Sequence, residues 1–234
     1  MKLLKYFLII LGAGAAALVI YYLVSYGIRP ARLLHFREFM RDPEGHADWT
    51  IQAKETCGDA PFQMPTSGYV GFLWGDSFRP GHTHQGIDIF SGAESGTTPV
   101  YAVYDGYLTR LPEWKSTVII RVPSDPLEPG RQIWTYFTHM ADKEGNSYIS
   151  EEFPPDTHEV FVKAGTLLGY MGNYSGQPGN PTGIHLHFSI VKDDGSGRFL
   201  NELKIKNTLD PSPYLGLPLN ADENRGTIAV CGAE

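Results

Sequence analysis

Residues 183–191 read Gly-Ile-His-Leu-His-Phe-Ser-Ile-Val and have the apolar, β-branched and aromatic composition of a buried β-strand. Successive side chains of a strand point to opposite faces, so His185 and His187 share one face while Leu186 and Phe188 face a core. Two imidazoles side by side on an apolar strand are costly unless they take part in an interaction. The alternative is a polar strand edge that faces solvent. The pattern favours a β-sheet that carries a functional site.

Further short β-type runs precede this strand from about residue 57, with turn residues between them. The chain has 26 Gly and 17 Pro residues, and 12% of its residues are aromatic, which favours short strands and tight turns over long helices. Asp105-Gly106, between two such runs, is a typical hairpin signal. We expect one compact antiparallel all-β domain without internal repeats. The predicted strands are 99–104 and 107–111 around this turn, 116–122, 132–140, 183–191, and short strands within 162–172.

The composition of the whole chain limits the classes of function. Its 234 residues suffice for one domain with a core and an appendage. The apolar share of 42% and the charged share of 19% are ordinary for a folded protein. The net charge of −7 argues against nucleic acid as a partner, because phosphate binding needs a basic surface. A polar substrate other than nucleic acid is compatible with this charge.

The N-terminal residues 6–26 contain no charge and are long enough to cross a bilayer as a helix. Tyrosines near both ends are typical of interfacial anchors. We therefore expect an uncleaved transmembrane anchor at 1–28. A cleaved signal peptide is the alternative, because the small residues at 12–17 imitate a cleavage site, although cleavage there would leave an apolar new terminus. Basic residues flank the span on both sides, so they do not set its orientation.

The two cysteines, Cys57 and Cys231, bracket most of the remaining chain. A disulfide between them would close a long loop and stabilise the fold by on the order of 5 kcal/mol in the chain-entropy model. Two free structural thiols are the alternative. A disulfide requires an oxidising compartment and would place the domain outside the cytoplasm. The predicted organisation is an anchor at 1–28, a juxtamembrane stalk at 29–56 with a short helix ending before Pro43, a β-domain at 57–216, and a tail at 217–234 that Cys231 would tie back.

A second cluster of polar residues is His84-Gln-Gly-Ile-Asp88. In a straight strand the two Cα atoms would lie about 13 Å apart, too far for both side chains to bind one ion. The chain must therefore bend, and we expect a permissive dihedral at Gly86. Together with the two strand histidines, this segment supplies imidazoles and a carboxylate. Three protein ligands and one open position are typical of catalytic zinc, whereas two histidines and a carboxylate also describe the iron site of non-haem oxygenases.

The order of the motifs resembles that of the lysostaphin-like, or LytM-type, zinc endopeptidases of peptidoglycan. The resemblance covers about half of the chain, from Gly68 to Val191. The fragments that carry it are Gly68-Tyr-Val-Gly-Phe-Leu-Trp-Gly-Asp-Ser-Phe-Arg79, His84-x-Gly-Ile-Asp88, Pro99-Val-Tyr-Ala-Val-Tyr-Asp-Gly106, Tyr136-Phe-Thr-His139-Met, Val162-Lys-Ala-Gly-x-x-x-Gly169 and Gly183-Ile-His-Leu-His-Phe188.

The resemblance implies a role for each site residue. His84, Asp88 and His187 would hold one Zn²⁺ per chain, and His139 and His185 would be the catalytic pair beside a metal-activated water. The implied fold is the compact antiparallel β-sheet of the duplicated-hybrid-motif type, with the site in a groove floored by the sheet. The domain at 57–216 would then be a peptidase domain that acts on peptidoglycan stems or cross-bridges.

Some residues depart from the family pattern or have no role in it. His82 has no role that the family suggests, and Phe78 lacks the hydroxyl that some members place shortly before the first ligand. We expect the segments 123–132 and 142–159 to form loops at the groove edge. The remaining histidines are interpreted as solvated bystanders: His35, His46 and His158.

The sequence thus predicts a zinc metalloendopeptidase, anchored in the cell membrane by a single N-terminal helix, with its catalytic domain outside the cytoplasm. Secretion after signal cleavage is the alternative for its location. The alternative for its function is a non-catalytic LytM-type regulator or scaffold that binds and activates cell-wall enzymes. The expected partners are peptidoglycan peptides and the membrane, with cell-wall proteins as further partners and no nucleic acid.

Overall fold

The computed structural model describes residues 2–26, 30–77, 81–224 and 226–232 of the chain. Most of the regular structure after residue 50 is β-strand. The helices are α1 (Lys2–Tyr26), α2 (Pro30–Arg41) and α3 (Ser212–Leu215), with short 3₁₀ turns at Ala47–Trp49 and Ile205–Asn207. The strands are β1 (Tyr69–Phe72), β2 (Ile87–Phe90), β3 (Pro99–Tyr101), β4 (Gly106–Arg110), β5 (Val118–Val122), β6 (Ile133–Thr138), β7 (Thr157–Val162), β8 (Leu167–Tyr170), β9 (Leu186–Lys192) and β10 (Thr208–Leu209).

The main sheet has the strand order β1-β2-β9-β6-β5-β4-β7, and the short β10 also pairs with β9. All of these pairings are antiparallel, so the predicted antiparallel β-domain is confirmed. Strand β9 lies near the middle of the sheet, where its Leu186, Phe188 and Ile190 are fully buried in the main core. The opposite face of β9 carries His187 and, further along, Val191, which packs in a smaller apolar cluster.

The hairpin predicted around Asp105-Gly106 is wrong. Strand β3 pairs with β8 in a separate two-stranded sheet, whereas β4 pairs with β5 and β7 in the main sheet. The Asp105 carboxylate accepts a hydrogen bond from the backbone N–H of Ala164 at 2.8 Å, so it holds a different loop. Gly106 lies in β4, where an added Cβ would come within 2.5 Å of the Arg121 carbonyl oxygen. Asp105 therefore belongs to the connection between the two sheets, and Gly106 allows β4 to approach β5 closely. A local Asp-Gly pattern does not distinguish these roles from that of a hairpin turn.

Helix α2 ends at Arg41, close to the expected end before Pro43. Phe36 and Phe39 are three residues apart and lie on one face of the helix. The ring of Phe39 stacks on Tyr69 of β1 with centroids 5.0 Å apart, and the ring of Phe36 packs edge-on against Phe90 of β2 at 4.8 Å. The helix that was expected in the stalk is thus packed on the edge of the main sheet.

The described part of the chain contains no helix that combines the length and the apolarity needed to cross a bilayer. This finding does not support the N-terminal anchor at 1–28, which stays a prediction.

The two cysteines are joined by a disulfide between Cys57 and Cys231, whose Cα atoms lie 5.1 Å apart. Leu217, Leu219, Ala221 and Ala229 of the C-terminal segment are buried in the same core as the main sheet. The tail thus packs onto the β-domain along its length as well as being linked to it. The domain boundaries at 56/57 and 216/217 stay predictions.

Candidate metal centre and active site

The pairing of β2, β9 and β6 places the polar side chains of three separate sequence segments together. Asp88 of β2 lies directly opposite His187 of β9, and His187 in turn lies opposite Thr138 of β6. His139 follows immediately after β6, and His185 immediately precedes β9. His84 comes from the loop before β2. The sheet register, which no local sequence pattern encodes, assembles all five predicted site residues around one point.

Three of these residues could hold a metal ion. The ligand atoms of His84, Asp88 and His187 all lie within 4.8 Å of one another, and all three residues are buried. Nε2 of His84 is 3.1 Å from Oδ1 of Asp88 and 3.0 Å from Nδ1 of His187, and that Nδ1 is 2.8 Å from the same Oδ1. Ligand atoms in a tetrahedral zinc site about 2 Å from the ion would be about 3.3 Å apart. The donor types and their separations therefore fit a zinc ion.

The His84 ring is fixed from behind by the backbone. Its Nδ1 donates a hydrogen bond to the Leu73 carbonyl oxygen at 3.0 Å, which leaves the Nε2 lone pair directed at Asp88 and His187. The expected permissive dihedral at Gly86 is wrong, since Gly86 does not have a positive φ. A Cβ there would clash with the carbonyl oxygen of Phe188. Glycine is needed at this position because β2 approaches β9 closely.

His187 bridges two carboxylates. Its Nδ1 faces Asp88, and its Nε2 lies 2.9 Å from Oε1 of Glu202. Burial alone would lower the pKa of His187, but the hydrogen bonds with Asp88 and Glu202 outweigh it and raise that pKa to about 10. Burial would likewise raise the pKa of Asp88, but His84, His185 and His187 hold it well below its ordinary value. The centre is therefore built to hold a positive charge against an ionised Asp88.

His139 and His185 form a pair beside this centre, with ring centroids 4.4 Å apart. Nδ1 of His139 donates to the Tyr174 carbonyl oxygen at 2.6 Å, and Nδ1 of His185 donates to the Gly183 carbonyl oxygen at 2.7 Å. The Nε2 atom of each ring is thereby left to accept a proton. Burial lowers the pKa of His185, and burial together with His185 lowers the pKa of His139 to about 3. Both rings are therefore neutral at neutral pH.

The backbone around His139 is unusual for a residue with a side chain. His139 has a φ of 73°, in the left-handed region, which turns the chain out of β6. Gly172 runs alongside this turn, and its carbonyl accepts a hydrogen bond from the N–H of His185 at 3.1 Å. A Cβ on Gly172 would clash with the carbonyl oxygens of His139 and Ala141. Gly172 therefore allows the segments that carry the two histidines to come together.

The five site residues line an open cavity of about 540 Å³. Much of the remaining wall comes from three segments, 113–117, 174–176 and 202–203, and single residues of other segments complete it. The expected loops 123–132 and 142–159 do not contribute to this lining among the described residues. The first joins β5 to β6 at the ends of these strands that lie away from Thr138. Thr157–Val162 is an edge strand in place of a loop, and His158 is exposed there, as expected of a bystander.

Two polar residues of the site were missed in the sequence. Glu202 lies 15 residues after His187 in a loop, and no motif or spacing marks it. Tyr136 lines the cavity and hydrogen-bonds with Thr117 and Thr138, while burial and the nearby Glu202 raise its pKa to about 12. Strand alternation could have found it, since Tyr136 and Thr138 share a face of β6.

The two residues that departed from the family pattern have different outcomes. His82 also lines the cavity, without a role that the geometry assigns. Phe78 lies outside the described residues.

No protein-family model and no curated protein matches the chain. Solved structures do. Csd3 from Helicobacter pylori is 19% identical over 66% of this chain and 33% of that chain, with a TM-score of 0.40. Lysostaphin from Staphylococcus simulans, an antimicrobial peptidase, is 19% identical over 70% of this chain and 55% of its own, with a TM-score of 0.38. A third structure is a mutant of the catalytic domain of the prophage-encoded M23 protein EnpA from Enterococcus faecalis. It is 26% identical over 64% of this chain and 95% of its own, with a TM-score of 0.34.

These neighbours are of the M23/LytM type that the ordered motifs resemble. The chain spans a third of the length of the first and just over half of the second. With TM-scores of 0.34 to 0.40 the likeness carries no argument about activity, which depends on the site described above.

Proposed function

We propose that this protein is a zinc-dependent endopeptidase that hydrolyses peptide bonds in the stems or cross-bridges of peptidoglycan. The observation that carries the proposal is the group of His84, Asp88 and His187 with two further histidines against it in one open cavity. An open position beside three protein ligands is typical of catalytic rather than structural zinc. The motif order supplies the substrate class, because the resemblance is to enzymes of peptidoglycan.

The residues of the chain divide the chemistry among them. His84, Asp88 and His187 would hold the zinc ion, with Glu202 fixing the His187 ring through its Nε2. When bound, zinc supplies Lewis-acid chemistry: it polarises a carbonyl group and lowers the pKa of water.

His139 and His185 line the cavity and each uses Nδ1 to bind a backbone carbonyl, so Nε2 of one can take a proton from the attacking water and return it to the leaving amine. The hydroxyl of Tyr136 lines the same cavity and stays protonated, so it can donate to a developing oxyanion.

The proposed location is the cell membrane, with a single N-terminal span and the catalytic domain outside the cytoplasm. The Cys57–Cys231 disulfide supports an oxidising compartment. The uncharged stretch 6–26 supports the anchor. N-terminal sequencing of the mature protein from cells separates this proposal from secretion. A new terminus after residue 12 would indicate cleavage by signal peptidase.

Digestion of purified peptidoglycan by the full-length, zinc-loaded protein tests the activity. We expect new amine termini, identified by mass spectrometry, and their loss on treatment with a chelator. His139→Ala serves as the matched inactive control because it leaves the three metal-binding side chains in place. A protein that binds one zinc and releases no new termini would be a LytM-type regulator, and stoichiometric iron with oxygen consumption would indicate an oxygenase. Either result would overturn the proposal.

A further inference from the structure

Helix α2 contributes a buried charge to the region behind the candidate metal centre. The Arg32 guanidinium forms an ion pair with the Asp76 carboxylate, and both side chains are almost fully shielded from solvent, 5% and 3% exposed. Nη1 of Arg32 also donates to the carbonyl oxygen of Asn224 at 3.1 Å. Arg32 thus joins three segments that are far apart in sequence: helix α2, the loop before β2 and the C-terminal tail.

Asp76 lies at the centre of the turn that holds His84. Its Oδ2 accepts a hydrogen bond from the N–H of Leu73 at 2.7 Å, and its backbone carbonyl accepts one from the N–H of His84, also at 2.7 Å. The carbonyl oxygen of Leu73 in turn accepts the Nδ1–H of the His84 ring. Both ends of the His84 residue, its backbone and its ring, are therefore positioned by groups that Asp76 orients.

The C-terminal tail supports the same turn from the other side. Trp74 donates its N–H to the Leu219 carbonyl at 3.0 Å and accepts a hydrogen bond from the N–H of Ala221 at 2.9 Å. The side chain of Asn224 donates to the carbonyls of Pro218 and Thr227, which fixes the carbonyl that Arg32 reaches. Arg32 and the C-terminal tail therefore both contact the turn 73–76 and hold it between them.

We infer that Arg32 is a positioning residue for the metal ligand His84, acting through Asp76. Helix α2 is then part of the metal site and not a passive stalk between anchor and domain. This inference rests on the proposed metal site. A buried ion pair is weak evidence for added stability, because a well-packed apolar pair often stabilises as much. Only the charged pair also fixes the direction of the Asp76 oxygens, and that direction sets the Leu73 and His84 hydrogen bonds.

Zinc affinity of the full-length protein tests this role, measured by competition with a chromophoric chelator. We expect Arg32→Met to weaken zinc binding about tenfold, in the range found when outer-shell partners of metal ligands are removed. The zinc affinity of Arg32→Lys should lie between those of the parent and Arg32→Met. A lysine keeps the positive charge but lacks the planar guanidinium that binds Asp76 and Asn224 together. The matched control is Arg37→Ala, because Arg37 is an exposed arginine on the same helix. This variant should bind zinc within twofold of the parent.

Hydrogen–deuterium exchange of the zinc-free protein gives a second readout that does not depend on the metal. Peptides covering residues 72–76 and 84 should exchange faster in Arg32→Met than in Arg37→Ala. If Arg32→Met does not fold, Asp76→Asn replaces it in both measurements, since Asn can still accept from the Leu73 N–H without the negative charge.

Parental zinc affinity and exchange in the folded Arg32 or Asp76 variant would overturn the inference and leave the proposed function intact. A parent protein that binds no zinc would overturn both.

Discussion

Replacing Glu202 tests whether a residue with no sequence signal tunes the metal site. The Glu202 carboxylate lies 2.9 Å from Nε2 of His187, and the two side chains are only 11% and 9% exposed. A proton held on Nε2 leaves Nδ1, which faces Asp88, unprotonated for a metal. Removing the carboxylate by Glu202→Ala should therefore weaken zinc binding.

The size of the effect follows from the kind of hydrogen bond that is lost. A hydrogen bond to a charged group contributes about 1.5–3 kcal/mol when it is shielded from water. At about 1.4 kcal/mol per factor of ten, this corresponds to a loss of zinc affinity of roughly 10- to 100-fold. Glu202→Gln should lose less, because the amide oxygen still accepts from Nε2 but carries no charge.

The assay is the zinc dissociation constant of the full-length protein, obtained by chelator competition. Glu113→Ala is the matched control, since Glu113 lines the same cavity but is exposed and lies outside the group of His84, Asp88 and His187. Zinc binding by Glu202→Ala within twofold of the parent would contradict this role of Glu202. An equal loss of zinc affinity in Glu113→Ala would contradict it as well, because the effect would then come from cavity charge alone.

Three further predictions concern catalysis, the disulfide and pH. His139→Ala should keep one zinc per chain by elemental analysis and lose about 100-fold or more of its hydrolysis of peptidoglycan, and loss of zinc would contradict the assigned role. Replacing Cys57 and Cys231 by serine should lower the free energy of unfolding in urea by up to about 5 kcal/mol, whereas an unchanged midpoint would show that the link does not constrain the unfolded chain.

In the zinc-free protein the pKa of His187 is raised to about 10, above its unfolded value of about 6.5. The stability from this group is fully present below pH 6.5 and is lost as pH rises towards 10, by at most about 1.4 kcal/mol per pH unit. Urea denaturation at pH values from 6.5 to 10, with a chelator present to remove zinc, measures the free energy of unfolding as a function of pH. Its slope should be flatter for His187→Gln than for the parent, and equal slopes would contradict this assignment to His187.

The sequence predicted most of the β-architecture because the relevant signals are local. Strand alternation in 183–191 placed Leu186 and Phe188 in the core and His187 on the other face, and the structure has them there. The bounds of β5 and β6 differ from the predicted strands 116–122 and 132–140 by at most two residues at either end. The partner of each strand was not predictable, since pairing depends on contacts between distant segments. The failed hairpin at Asp105 is the clearest case.

The residues of the site also divide into those that local sequence motifs predicted and those that only tertiary contacts define. His84, Asp88, His139, His185 and His187 were found through motif order, and the structure brings them to one cavity. Glu202 was missed because a loop places it by tertiary contact alone, and Arg32 because it acts from a helix that reads as a charged linker. Gly86 was identified as important for the wrong reason. Its spacing suggested a bend, whereas the close approach of Phe188 is what excludes a side chain.

Anomalous X-ray scattering at the zinc edge, from crystals of the zinc-loaded protein, is the most direct test of whether His84, Asp88 and His187 hold zinc. We expect one strong peak within about 2 Å of Nε2 of His84, the Asp88 carboxylate and Nδ1 of His187, with His139 and His185 outside ligand distance. A peak coordinated by His139 or His185 in place of these atoms, or no peak in the cavity, would contradict it.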